Sequence, residues 1–180
     1  VAAPSLNESE LHFLRALLRR KVRFMVVGLS AAALQGAPVV TQDVDLWFED
    51  LNDPRIRQAL REVGAAYVAP SILNPPLFAG GGVELFDIVL TLHGLGTFAE
   101  ELSNCIEIPV GRQKLKVLGV ERILASKRAA NRAKDRLVIP VLEDSLSARQ
   151  VAGSRDRRKS DASRVRKTTR RKSPATKPAS

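Results

Sequence analysis

Leu11, Leu14, Leu17 and Leu18 fall on one side of a wheel of 3.6 residues per turn, so residues 5–21 are predicted to form an amphipathic helix. Ser5 and Glu8 stand at capping-box spacing at its start. Lys21 and the two arginines before it close it where cations complement the helix dipole. Residues 22–28, VRFMVVG, are too apolar for a strand with a wet face and are predicted to be a buried one. Residues 30–36, SAAALQG, offer a serine cap, three alanines and a closing glycine, hence a short helix. Beyond Pro38, residues 39–48 (VVTQDVDLWF) read as a second strand. Asp53-Pro54 then opens a helix that continues to Val63 and is ended by Gly64.

Residues 69–82 are rich in proline and glycine and are predicted to be a loop, longer than most connections in compact domains. Residues 83–90, VELFDIVL, form a third apolar strand, and a short helix is expected over 97–102. CIEIPV and KLKVL flank Gly111-Arg112-Gln113 as a hairpin would. Val120, Ile123, Leu124 and Lys127 share a face of a helix over 120–132, and residues 134–144 make another, disturbed by Pro140. Strands interleaved with helices predict an α/β fold: a small mixed sheet with packed helices and a helical C-terminal portion.

Charge divides the chain. Residues 153–180 carry 11 basic and 2 acidic residues, whereas residues 1–152 carry 18 and 17, so nearly all of the formal charge of +10 lies in the tail. The tail's single large aliphatic residue is Val165, too little apolar surface to offset the entropy of ordering, and disorder is expected there. The expected division is one domain over 1–152 and a disordered basic tail over 153–180. A uniformly basic nucleic-acid-binding domain is excluded by the near-neutral body. Cys105 is the lone cysteine, so no intrachain disulfide framework exists, and a reducing compartment is expected. Without a membrane-length apolar run, or a basic start and apolar centre in the first ten residues, the expectation is a cytoplasmic protein with no membrane partner.

Within this body the acids stand in unusual places. Asp43 and Asp45 are two apart on the predicted second strand, so both leave the same face, while Val44 and Leu46 turn to the core. Two such carboxylates repel each other unless a cation lies between them. Asp87 sits between Phe86 and Ile88, where a charge is costly unless paired or coordinated. Three aspartates on two strands suit one or two Mg²⁺ ions and in-line displacement at phosphorus. Spacing alone also allows acids on the wet face of an edge strand, and a turn-capping Asp87. Gly28-Leu29-Ser30 joins a buried strand to a helix whose free N–H groups would cradle a triphosphate, unless Ser30 merely caps an ordinary turn.

The stretch MVVGLSAAALQGAPVVTQDVDLWF resembles the core motif of the polymerase β-like nucleotidyltransferase superfamily, most closely its minimal, AbiEii-like members. Gly28 matches the motif's first glycine, Thr41 its threonine, Asp43 and Asp45 its metal-binding pair, and Asp87 its third carboxylate. VLGVERILASKRAANRAKDRLVIPVLE is similar to the helical segment in which these proteins carry a lysine and a later Lys-Asp pair, here Lys127 and Lys134-Asp135. Leu29 stands where the family has Gly or Ser, and Val39 where relatives often have arginine.

The resemblance, over residues 22–144, implies transfer of a nucleoside monophosphate from an NTP, ATP among them, to an acceptor hydroxyl with Mg²⁺ or Mn²⁺. Asp43, Asp45 and Asp87 would be catalytic and metal-binding, and Gly28, Ser30, Thr41 and Lys127 nucleotide-binding. It also leaves open a degenerate, non-catalytic nucleic-acid-binding protein or a toxin–antitoxin component. The residues themselves allow Lys127 to be a solvated helix lysine, and Asp135 a member of surface ion pairs with its basic neighbours. The tail, without aromatic residues, would meet RNA or another nucleic acid through phosphates, or would serve solubility alone. Trp47 is expected to pack, Cys105 to be half-buried in a strand, and His12 and His93 to have no metal-ligand spacing.

Overall fold

The computed structural model describes residues 6–170, with side chains described to Val151. Five strands form the main sheet: β1 (Phe24–Val27), β2 (Val44–Phe48), β5 (Phe86–Val89), β6 (Cys105–Val110) and β7 (Gln113–Leu118), in the order β5-β2-β1-β7-β6. The sheet is mixed: β1 pairs antiparallel with β2 and parallel with β7, and β2 pairs parallel with β5. A second sheet of two short strands, β3 (Ala66–Val68) and β4 (Leu77–Ala79), is not hydrogen-bonded to it, although β4 packs beside β5. The helices are α1 (Glu8–Arg19), α2 (Gly28–Leu34), α3 (Pro54–Glu62), α4 (Phe98–Glu101), α5 (Val120–Ala130) and α6 (Ala133–Arg170). The predicted α/β architecture is thereby observed.

Local chemistry accounts for most of the element ends. Asn7 and Glu10 form the capping box of α1, two residues later than the Ser5–Glu8 pair predicted from spacing. Asn7 prevails because its side chain meets the amide of Glu10 at 2.9 Å, and Glu10 answers its amide at 2.8 Å. α1 ends at Arg19, and Lys21 takes a left-handed turn outside it with φ of 56°. Asp53 caps α3 with Pro54 at its first position, as the dipeptide predicts. Pro140 lies inside α6 without ending it.

All four residues of β1 are buried, so this strand is the spine of the core. Phe13 and Leu17 of α1 pack over it together with Phe48 and Phe86, and Phe13 meets Phe78 and Phe86 edge-on. Leu142 and Leu146 bring the first turns of α6 into the same core. Buried Glu101 holds Arg122 of α5 and the amides around Gly96 and Asn104, which keeps its carboxyl down at about 2. Trp47 packs edge-on against Phe98. Cys105 is half-buried in β6 with its Sγ 3.6 Å from the sulfur of Met25, and burial pushes its thiol up to about 11.

The strand expected over 39–48 begins only at Val44. The last residue of β1, Val27, pairs with Asp45, and the chain then turns into α2, so residues 39–43 have no ladder to join. The third strand shortens to Phe86–Val89 because the amide of Phe86 closes a turn onto Val83. Part of the predicted 69–82 loop is in fact β4, which pairs with β3 through Tyr67 and Phe78. The helix of α6 continues to Arg170, past the Gly153 at which disorder was expected to begin; the expected tail beyond Arg170 lies outside the described residues.

Candidate active site

The site forms where β1 ends and β2 and β5 begin. β1 and β2 run antiparallel, so the end of one and the start of the other share an edge of the sheet. β5 runs parallel to β2, which sets Asp87 directly beside Asp45 in the ladder. Asp45 is thus flanked by Val27 on one strand and by Asp87 on the other. Gly28, at φ 64°, makes the turn out of β1. A Cβ there would collide with the Asp45 carboxylate, so glycine is required both by the backbone and by the acid against it.

Asp43 is not on the strand as spacing predicted. It lies one residue before β2, exposed, its backbone carbonyl accepting from the Thr41 hydroxyl at 3.1 Å. Among the described residues, none of the Asp43, Asp45 and Asp87 carboxylates accepts a hydrogen bond or joins an ion pair. Burial, and then the charge of Asp87, push Asp45 up to about 6, with Asp43 adding to the rise and Lys127 and Lys134 opposing it. Asp87 is also raised, by burial and by Asp43. Three acids that repel one another and have no partner form a cation-seeking arrangement in kind. They do not form a closed cage: among the described residues no group of three or more His, Cys, Asp or Glu side chains is placed to hold a metal ion.

Two hollows flank the start of β2. One, of about 390 Å³, is lined by Gly28, Asp45, Leu90, His93, Lys127 and Lys134 among others. The other, of about 340 Å³, has Ser30, Thr41, Asp43 and Leu85 in its wall. Gly28, Asp45 and Lys127 therefore meet in one, and Ser30, Thr41 and Asp43 in the other.

Ser30 does not cap α2. The helix starts at Gly28 with Val27 as its cap, and Ser30 lies buried in the first turn. Its hydroxyl donates to the Val27 carbonyl at 2.9 Å and accepts from the Asp45 amide at 3.1 Å, fastening α2 to the strand that carries the acid. No side chain caps the α2 N-terminus, which leaves its first N–H groups without a capping acceptor.

Lys127 is not a solvated helix lysine, and Asp135 is not a surface acid. Asp135 is 1% exposed, with Lys127 Nζ 3.0 Å and Arg132 Nε 2.6 Å away. Burial works against its charge, but hydrogen bonds from Arg132 and Lys127 outweigh it and hold the carboxyl well below its ordinary range. One carboxylate fixing two cations leaves this wall net positive, in the same hollow as Asp45. The sequence singles out Lys127 but not its ion pair with Asp135. The available signal was the eight-residue separation, which crosses the α5–α6 corner and cannot be read as a face of one helix.

Neither a protein-family model nor a curated protein sequence matches the chain. Solved structures do. The fold is similar to that of ANT(2″)-Ia in a crystal structure of its complex with adenylyl-2″-tobramycin, at 18% identity and a TM-score of 0.52, covering 84% of this chain and 95% of that one. A solution structure of the same antibiotic-resistance factor matches at 18% identity and a TM-score of 0.52, over 91% of this chain and 97% of that one. The chain thus has the fold of a nucleotidyltransferase. No described helix is long and apolar enough to cross a membrane.

Proposed function

We propose that this chain is a nucleotidyltransferase that moves a nucleoside monophosphate from an NTP to an acceptor hydroxyl, and that it is of the minimal, AbiEii-like kind. The observation that carries this reading is the register of Asp45 beside Asp87, both unpartnered and both raised, against a glycine turn that admits no side chain. The donors are hard oxygens without competing partners, which suits Mg²⁺ or Mn²⁺ held by Asp43, Asp45 and Asp87. A bound ion would offset the mutual repulsion of the acids and draw electron density from the α-phosphate.

The residues then divide the work. The turn at Gly28 lets the triphosphate approach the backbone, with the uncapped N–H groups of α2 as donors and Ser30 and Thr41 lining the approach. Lys127, braced by Asp135, and Lys134 place positive charge across the hollow from the acids, where phosphate oxygens would lie. The acceptor oxygen bonds to the α-phosphorus as its bond to the β-phosphate oxygen breaks, and pyrophosphate departs. Asp87, with its raised affinity for a proton, takes the hydroxyl proton and passes it to water.

The test is transfer of label from α-³²P NTPs, with and without Mg²⁺, by the full chain and by its Asp45→Asn variant. Label incorporation that needs both the divalent ion and Asp45 supports the reading. Absence of NTP binding, with or without the ion, would sink it.

A second reading draws on a separate observation, the charge of +9 in residues 153–180. It makes the chain a non-catalytic nucleic-acid-binding protein that meets RNA through phosphates. RNA affinity that falls steeply with salt, without any label transfer, would favour it.

A further inference from the structure

Aliphatic side chains border both hollows of the site. Leu85 is 42% exposed and lines one hollow, and Leu90 is 58% exposed and lines the other. Exposed aliphatic residues scattered singly mean little, but these gather around the aspartates. The acids of the two hollows are Asp43, Asp45 and Glu10, and buried Glu10 is already engaged with the Asn7 amide. A polycationic acceptor therefore finds no anion that the donor half of the reaction does not need.

Leu85 and Leu90 stand just outside the two ends of β5, five residues apart. An extended chain of that length spans roughly 16 Å, so a body touching both needs about the length of a pentapeptide. β5 is also an edge of the main sheet, with backbone groups on its outer side that no strand pairs with among the described residues. Asp87, the proposed proton acceptor, lies between the two leucines on that same strand.

We propose that the acceptor is an extended peptide that adds to the free edge of β5. Its serine or threonine hydroxyl would lie beside Asp87 and its aliphatic residues on Leu85 and Leu90. This rests on the nucleotidyltransferase reading for the chemistry, but the docking stands on the edge strand and its leucines alone. The product is a phosphodiester between the peptide hydroxyl and the nucleoside, with pyrophosphate as the leaving group and the proton carried away through Asp87.

The experiment uses the full chain, α-³²P NTP with Mg²⁺, and four acceptors at equal concentration. These are the capped peptide acetyl-Leu-Val-Ser-Leu-Val-amide, its counterpart with lysine at the four flanking positions, tobramycin, and an RNA oligonucleotide with a free 3′ hydroxyl. The apolar peptide is expected to be labelled at least tenfold faster than the other three. In the double variant Leu85→Gln/Leu90→Gln its labelling should fall at least tenfold, while NTP affinity moves less than threefold. Preferred labelling of RNA, tobramycin or the lysine peptide would overturn the proposal, as would indifference to the double substitution. Direct binding of the fluorescein-tagged apolar peptide is measured in parallel. If no acceptor is labelled, peptide binding that the double variant loses sustains the docking site and condemns only the transferase reading, whereas no peptide binding removes the site.

Discussion

Asp45 carries an energetic cost that its neighbours impose. Its carboxyl is raised to about 6 in the folded chain, chiefly by burial and next by Asp87, while an unfolded aspartate titrates near 4. A raised carboxyl favours the fold while protonated, so its contribution is complete below about pH 4 and is lost as pH rises through 6. Asp45→Asn removes the group that must ionise. The variant is expected to unfold at a higher temperature than the parent at pH 8, with an advantage of up to roughly 3 kcal/mol, and to match it at pH 4. Thermal melts across that range check the sign. Gly28 gives the opposite case. With φ at 64° and the Asp45 carboxylate filling the space of a Cβ, even Gly28→Ala should cost about 1–3 kcal/mol in denaturant titrations. Both residues stood out in the sequence, Asp45 as an acid within an apolar strand and Gly28 as the glycine of a strand-to-helix turn. That one presses on the other was not legible, since contact between them depends on the β1–β2 register.

At the level of elements, local signals located α3, the β6–β7 hairpin and α5 within two residues and α1 within three, since caps, glycines and periodicity act over short range. The errors arose where a partner decides. Residues 39–43 have strand-like chemistry but no ladder, and β4 has proline and glycine around it but pairs with β3. A β-branched run is a strand only where another strand lies beside it. The α6 helix shows the same dependence. Its Leu142 is fully buried in the common core although a proline stands two residues earlier. Leu142→Ala is therefore expected to cost about 2–5 kcal/mol, a loss readable in urea unfolding. A cost below 1 kcal/mol would mean that α6 is not part of the body.

For the molecule as a whole, the sequence's charge asymmetry predicts where stability does not reside. Removing residues 153–180 takes away +9 of charge and one large aliphatic residue. The shortened chain is expected to keep its unfolding midpoint within about 2 °C in calorimetry, because little apolar area leaves with the tail. If the tail binds RNA, affinity should collapse with the same truncation and, in the full chain, weaken steeply from 50 to 200 mM salt.

The quiet environment of Cys105 has a practical corollary. With its thiol pushed up to about 11 and its sulfur turned toward Met25, only about one molecule in ten thousand carries the reactive thiolate at neutral pH. The native chain thus comes with its own silent background for maleimide chemistry. A single new cysteine on an exposed position, Ile72 at the tip between β3 and β4 for instance, would take a fluorophore or spin label selectively. The approach of a nucleotide or an acceptor could then be followed optically, in a protein whose only natural sulfhydryl stays dark.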